Sequence, residues 1–114
     1  MPLLALVDDL LFRSRLDASA RPLGIAPRLI RDSEALQRAL AEQPWSLLLV
    51  DLNLASGRAL ESIRIARTHA PQLPIVGFCA HVQTELPAQA LAAGCTEVLS
   101  HGQLIQRLPD LLAA

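Results

Sequence analysis

Short apolar runs alternate along the chain with longer stretches in which apolar residues recur every three or four positions. The short runs are Leu3 to Val7, Ala26 to Ile30, Ser46 to Val50, Pro74 to Cys79 and Glu97 to Ser100. Their length and aliphatic character suit strands, and runs such as LLALV and LLLV suit strands buried on both faces. Between them, Leu36, Ala39 and Leu40, and then Ala59, Leu60, Ile63 and Ala66, fall on one face of a helix. Ser33 is placed to cap the second helix, Gly24 to stop the first, and Gly94 to stop the fourth after Leu86, Ala90 and Ala93. Pro22 falls near the end of the first helix, where it shortens or bends the turn. Leu104, Leu108 and Leu111 give the last helix its stripe, but Pro109 removes a backbone donor within it. A kink or two short pieces is expected there.

Five strands alternating with five helices predict an α/β chain of (βα)5 order, a parallel sheet sandwiched between helices in three layers. The flavodoxin-like strand order 2-1-3-4-5 is expected. No repeat, linker or low-complexity segment interrupts the 114 residues, about the size of one domain, so residues 1–114 are read as a single domain. With 52% hydrophobic and 18% charged residues the chain can bury a sizeable core.

Charge and cysteine content narrow the function. Net charge is −1 and the ten arginines are scattered, so the footprint of a direct nucleic-acid binder is missing. Lysine is absent, which removes lysine chemistry. Cys79 and Cys95 are not spaced as C-x-x-C and read as reduced thiols. The longest apolar runs fall far short of the ~20 residues of a membrane span, and no signal-like segment opens the chain. A cytoplasmic protein is expected.

Aspartates raise the central question. SLLLVDLNLASG, residues 46–57, is an apolar run that ends in Asp51, and the first strand is followed directly by Asp8 and Asp9. In an open parallel sheet, ligands bind beyond the carboxyl ends of the strands. If strands one and three are neighbours, three carboxylates gather at one edge and repel one another unless a cation joins them. A hard divalent metal is implied, and magnesium suits few carboxylates and several retained waters. Asp8 and Asp9 could instead simply cap the first helix, but capping leaves Asp51 unexplained. VDDLLF lacks the glycines of a Rossmann dinucleotide loop. Position 10 is Leu10, where a haloacid-dehalogenase-like phosphatase has a second aspartate, and the D-x-H-x-x-G of cobalamin-binding domains is absent.

The chain resembles, over nearly all its length, the receiver domains of two-component response regulators. LVDD is similar to their acidic pair, LLLVDLNL to the segment with the phosphoacceptor aspartate, and FCAHV, ALAAG and GCTEVLS follow at the usual intervals. The resemblance implies Asp51 as phosphoacceptor, Asp8 and Asp9 as magnesium ligands together with Asp51, and Asn53 as a ligand through its backbone carbonyl. It also implies a histidine kinase or phosphotransfer protein as partner, no enzymatic activity beyond self-phosphorylation and dephosphorylation, and a protein-binding face on helix 4, strand 5 and helix 5, around Leu91, Val98 and Leu104. The opening LVDDLLFRSRLDASARPLG and GFCAHV further resemble a group of stand-alone receiver-like bacterial proteins, so no output domain is expected.

Departures from the family are specific. Cys79 stands where a threonine or serine ends the fourth strand, and His101-Gly102 where lysine-proline ends the fifth. Val98 takes the place of an aromatic switch residue, two residues are missing after DLNL, and the last helix is expected to start late. A thiol is the weaker donor, and His101 becomes a pH-dependent substitute for a permanent cation. Cys79 and Cys95 otherwise read as small buried hydrophobes, and Trp45 as a cover for the start of the third strand. Two functions follow: an atypical phospho-accepting receiver, or a pseudo-receiver that binds a protein partner independently of phosphorylation.

Overall fold

The computed structural model describes residues 2–113. Strands β1 (Leu3–Leu6), β2 (Arg28–Ile30), β3 (Leu47–Asp51), β4 (Ile75–Cys79) and β5 (Glu97–Ser100) alternate with helices α1 (Leu10–Ala20), α2 (Ser33–Glu42), α3 (Ala59–His69), α4 (Leu86–Ala93) and α5 (His101–Ala113). All strands are parallel, in the expected order β2-β1-β3-β4-β5.

The period of two along each strand builds two separate cores. Leu4, Leu6, Leu48 and Val50 face α2, α3 and α4 through Leu36, Ile63 and Ala90. Leu3, Ala5, Leu49, Val76 and Phe78 face α1 and α5 through Phe12, Leu16, Leu104 and Leu108. Every residue of β1, β3 and β4 is buried, which is why these runs carry no polar alternation until Asp51. Trp45 packs half-buried at the entry to β3, donating its indole N–H to the Ala39 carbonyl at 2.8 Å. No helix among the described residues is long and apolar enough to cross a membrane.

Local chemistry moves several boundaries from where the sequence pattern put them. β2 begins at Arg28, not Ala26, and β3 includes Asp51 while excluding Ser46. β4 starts after Pro74, which has no N–H to give a ladder. Asp32, not Ser33, caps α2: its carboxylate accepts from the Ala35 N–H at 2.8 Å, and the Ser33 hydroxyl instead meets Ser62. α1 closes in a single 3-10 turn (Arg21–Leu23) holding Pro22, and Gly24 ends it at φ 75°. α5 does not start late: it begins at His101, directly after β5, and runs unbroken through Pro109. Pro109 is exposed, so water can meet the missing bond, while Leu104, Leu108 and Leu112 hold the buried side. Leu112 takes the core position expected of Leu111, which is only half-buried.

One side chain fastens the α3 and α4 ends. The Arg67 guanidinium donates to the Gly94 carbonyl (2.7 and 3.0 Å) and to the carbonyls of Ala70, Pro71 and Leu73 (3.2, 3.1 and 2.7 Å). Gly94 sits at φ 134°, and a Cβ there would lie 3.0 Å from the Arg67 Cβ, so the clamp requires glycine. Arg67→Ala is expected to cost roughly 2–4 kcal/mol in urea unfolding, because several helix-end and loop carbonyls lose charged donors together. Arg67→Lys should recover only part of this, since a point charge cannot reproduce the planar fork.

Candidate functional site

β1 and β3 are neighbours, with Leu6 beside Val50, so Asp8 and Asp51 emerge at the same edge of the sheet. Asp51 is the last residue of β3 and 4% exposed. Its Oδ1 accepts the Asn53 N–H at 2.8 Å. Oδ2 accepts no bond, yet His101 Nε2 is the only buried, unpartnered side-chain nitrogen or oxygen among the described residues. Oδ2 therefore still meets solvent. Asp8 Oδ2 accepts the Ala55 N–H at 3.0 Å and ties the end of β1 to the loop after β3. Asp9 caps α1, its Oδ1 accepting from Leu11 (2.9 Å) and Phe12 (3.2 Å). The Asn53 side chain accepts the Ala80 N–H at 3.1 Å and ties the same loop to the end of β4.

Burial raises the Asp51 carboxyl above the usual carboxylate range, and the charges of Asp8 and Asp9 push the same way. The Asn53 N–H and the nearby His101 oppose them without winning. Cys79 is buried, its Sγ 3.3 Å from the His81 carbonyl it donates to. Desolvation, and secondarily the Asp51 charge, raise the Cys79 thiol, so it is a neutral donor with its proton committed. Burial pushes the Cys95 thiol up to about 11, which leaves it a packing residue.

His101 occupies an environment the sequence did not disclose. Its ring lies 4.7 Å from the Phe12 ring and 5.4 Å from the Phe78 ring, and Phe12 stacks on Phe78 at 4.7 Å. It is the first residue of α5, and its side chain is not turned wholly to the carboxylates. The signal was present as two scattered phenylalanines, but only the α1–β4–α5 packing brings them to one place.

The three carboxylates share an edge without converging on one point: among the described residues no group of three or more His, Cys, Asp or Glu side chains is drawn together as a metal site. Asp8 and Asp9 are instead turned to backbone N–H groups. The donors still fit a hard cation that keeps most of its waters, since Asp8 Oδ1 accepts no bond and Asp51 Oδ1 accepts only the Asn53 N–H, which leaves it a lone pair. A cavity of about 660 Å³ lies at the opposite end of the sheet against Trp45, Pro71 and Leu73 and includes none of these groups.

No protein-family model matches the chain. The response regulator protein PilR of Pseudomonas aeruginosa is 27% identical over 101 residues, which are 89% of this chain and 23% of PilR. The chain thus spans about a quarter of the curated relative it matches. The receiver domain of NtrX from Brucella abortus superposes with a TM-score of 0.83 at 19% identity, covering 98% of each chain. A response regulator from Burkholderia pseudomallei, solved with a phosphorylated aspartic acid and a calcium ion, gives 0.83 at 20% identity over 97% of this chain and 65% of that one. The fold is that of the receiver domains of response regulators.

The raised Asp51 carboxyl makes stability pH-dependent in a defined direction. Because the folded chain holds this proton more tightly than the unfolded one, stability falls as pH rises through the interval between the ordinary carboxylate range and the higher folded value. Asp51→Asn should remove that fall and gain roughly 0.5–2 kcal/mol at pH 7, the scale of single stabilising substitutions. Urea melts of both proteins across acidic and neutral pH measure it.

Proposed function

We propose that the chain is an atypical receiver in phosphorelay signalling, with Asp51 as its phosphoacceptor. The observation that carries the reading is a single desolvated carboxylate at the end of the central strand, one oxygen held by a backbone N–H and the other free toward solvent, with Asp8 and Asp9 beside it. Asp51 Oδ2 is the oxygen placed to attack phosphorus, the bond to the donor's leaving group breaking in the same transfer. Asp8 and Asp9, with Asp51 and the Asn53 backbone carbonyl, are the residues that would hold magnesium. Bound there, the cation offsets charge on the transferring phosphoryl group. A histidine kinase or phosphotransfer protein is the matching phosphodonor, and the chain itself does no other chemistry.

The protein-binding face proposed on α4, β5 and α5 is led by Leu91, 49% exposed, and half-buried Val98. Leu104 does not belong to it: the side chain is fully buried between α5 and the sheet. Val98 has no ring to turn inward, so binding there is expected to depend little on the state of Asp51.

Incubation with acetyl phosphate and magnesium should add one phosphoryl group by intact mass, and none in Asp51→Asn. Labelling should run roughly 100-fold slower than in a receiver that keeps both a hydroxyl and a lysine at this edge, the scale of losing one preorganised donor. Cys79→Thr combined with His101→Lys should recover most of the difference. Complete inertness would favour the second reading, a pseudo-receiver that binds its partner regardless of phosphorylation. That reading draws on the Cys79 proton being committed to His81 and the His101 ring being packed on phenylalanines.

Magnesium should also stabilise the fold. At ten times its dissociation constant the gain is about 1.4 kcal/mol by mass action, read as a rise in Tm. Asp51→Asn should abolish the rise, whereas calcium should produce a comparable one.

A further inference from the structure

We propose that His101 is a two-position side chain that carries the state of Asp51 to the first turn of α1. The inference rests on the reading of Asp51 as the reactive centre. In the present position the ring stacks on Phe12 of α1 and Phe78 of β4, and Nε2 is buried with no hydrogen-bond partner. That position gains apolar contact and leaves a polar nitrogen unsatisfied. The opposite balance lies toward Asp51, which falls on the Leu49 side of β3, the face covered by α1 and α5, and is paired with the same Phe78 that the His101 ring packs against. Turned there, Nε2 finds an acceptor and the ring leaves its two neighbours. Two arrangements with complementary gains form a bistable element, and a ligand shifts it by as much as it favours one of them. A phosphoryl group on Asp51 adds oxygen acceptors only on the second side.

Topology fixes where the change is felt. Phe78 is the register partner of Asp51 across the β3–β4 ladder, and β4 is buried on both faces, so Phe78 has little freedom. Phe12 stands in the first turn of α1, directly after the Asp9 cap. When His101 leaves the stack, Phe12 is the ring able to follow. Leu10 and Leu11, 71% and 81% exposed, stand on that same turn and are the most exposed large apolar side chains among the described residues. The state of Asp51 is thereby delivered to an apolar patch on α1, with no aromatic residue needed at position 98.

Amide and histidine side-chain NMR spectra of the full chain test this in two arms. With magnesium already saturating, the further shifts on adding beryllium fluoride to saturation, judged by the fluorine signal, should be larger at residues 10–16 and 101–105 than at 84–98, and the His101 ring resonances should move. In His101→Phe, a third phenyl ring keeps the stack filled, and the shifts at 10–16 should be lost. His101→Leu provides a second variant should that chain fold poorly. The other arm uses no ligand: Asp51→Asn alone should shift His101 and residues 10–16, and should not shift residues 10–16 in the His101→Phe background. Shifts at 10–16 that persist without His101, or that centre on 84–98, overturn the proposal. Failure of beryllium fluoride to bind refutes the reading of Asp51 instead, and the Asp51→Asn arm still decides whether the two residues are coupled through the rings.

Discussion

A carboxylate at the end of a strand that is buried on both faces is the constraint on which the rest of this site depends. β3 lies between β1 and β4, and Asp51, paired with Phe78, cannot tilt into solvent without breaking the end of the β3–β4 ladder. The charge is therefore held where desolvation disfavours it, with one backbone N–H as direct compensation. The surrounding loops are arranged around that fixed point. Asp8 reaches across to Ala55, Asn53 reaches across to Ala80, and Asp9 is turned into α1. Each of these bonds fastens a loop at the carboxyl edge of the sheet, so the edge is ordered before any ligand arrives. On the proposed reading, preorganisation of this kind would let a cation or a phosphoryl group be received without rebuilding the backbone.

The same edge is short of donors for a second negative charge. Cys79 stands close to Asp51, but its thiol proton is directed at the His81 carbonyl and burial keeps the thiol protonated. His101 is near enough to act electrostatically, but its ring is engaged with Phe12 and Phe78. A phosphoryl group here would rely on a bound cation and on whatever side-chain rearrangement it can induce. The acidic residues and the supporting residues thus point in different directions: the first resemble a working phosphoacceptor site, the second a site whose response has been weakened or rerouted.

How much of this was legible before the structure depended on the range of the interactions. The sheet order and the five alternating elements were readable because burial on both faces leaves an uninterrupted apolar signature in β1, β3 and β4. Asp51 stood out for the same reason, as a charge at the end of such a run, like Asp8 and Asp9 after β1. What escaped was set by contacts between residues distant in sequence. Asp32 and Ser33 are both good capping residues, and only the Ser33–Ser62 contact across to α3 decides between them. Pro109 weakened the expected α5, yet three buried leucines on the opposite side carry the helix through it. The Arg67 clamp looked like one arginine among ten, because backbone carbonyls as acceptors leave no trace in the sequence. The aromatic pocket of His101 could not be seen because Phe12, Phe78 and His101 are far apart along the chain and belong to three elements.

The account turns on Asp51 being a desolvated carboxylate poised for a cation and a phosphoryl group. Titrating its side-chain carboxyl carbon by NMR, with and without magnesium, tests that most directly. Without metal the carboxyl should titrate above the usual carboxylate range, because burial and the Asp8 and Asp9 charges both favour its proton. Magnesium should move the transition to lower pH, since the cation favours the ionised form. An Asp51 that titrates in the ordinary range and does not respond to magnesium would contradict the account.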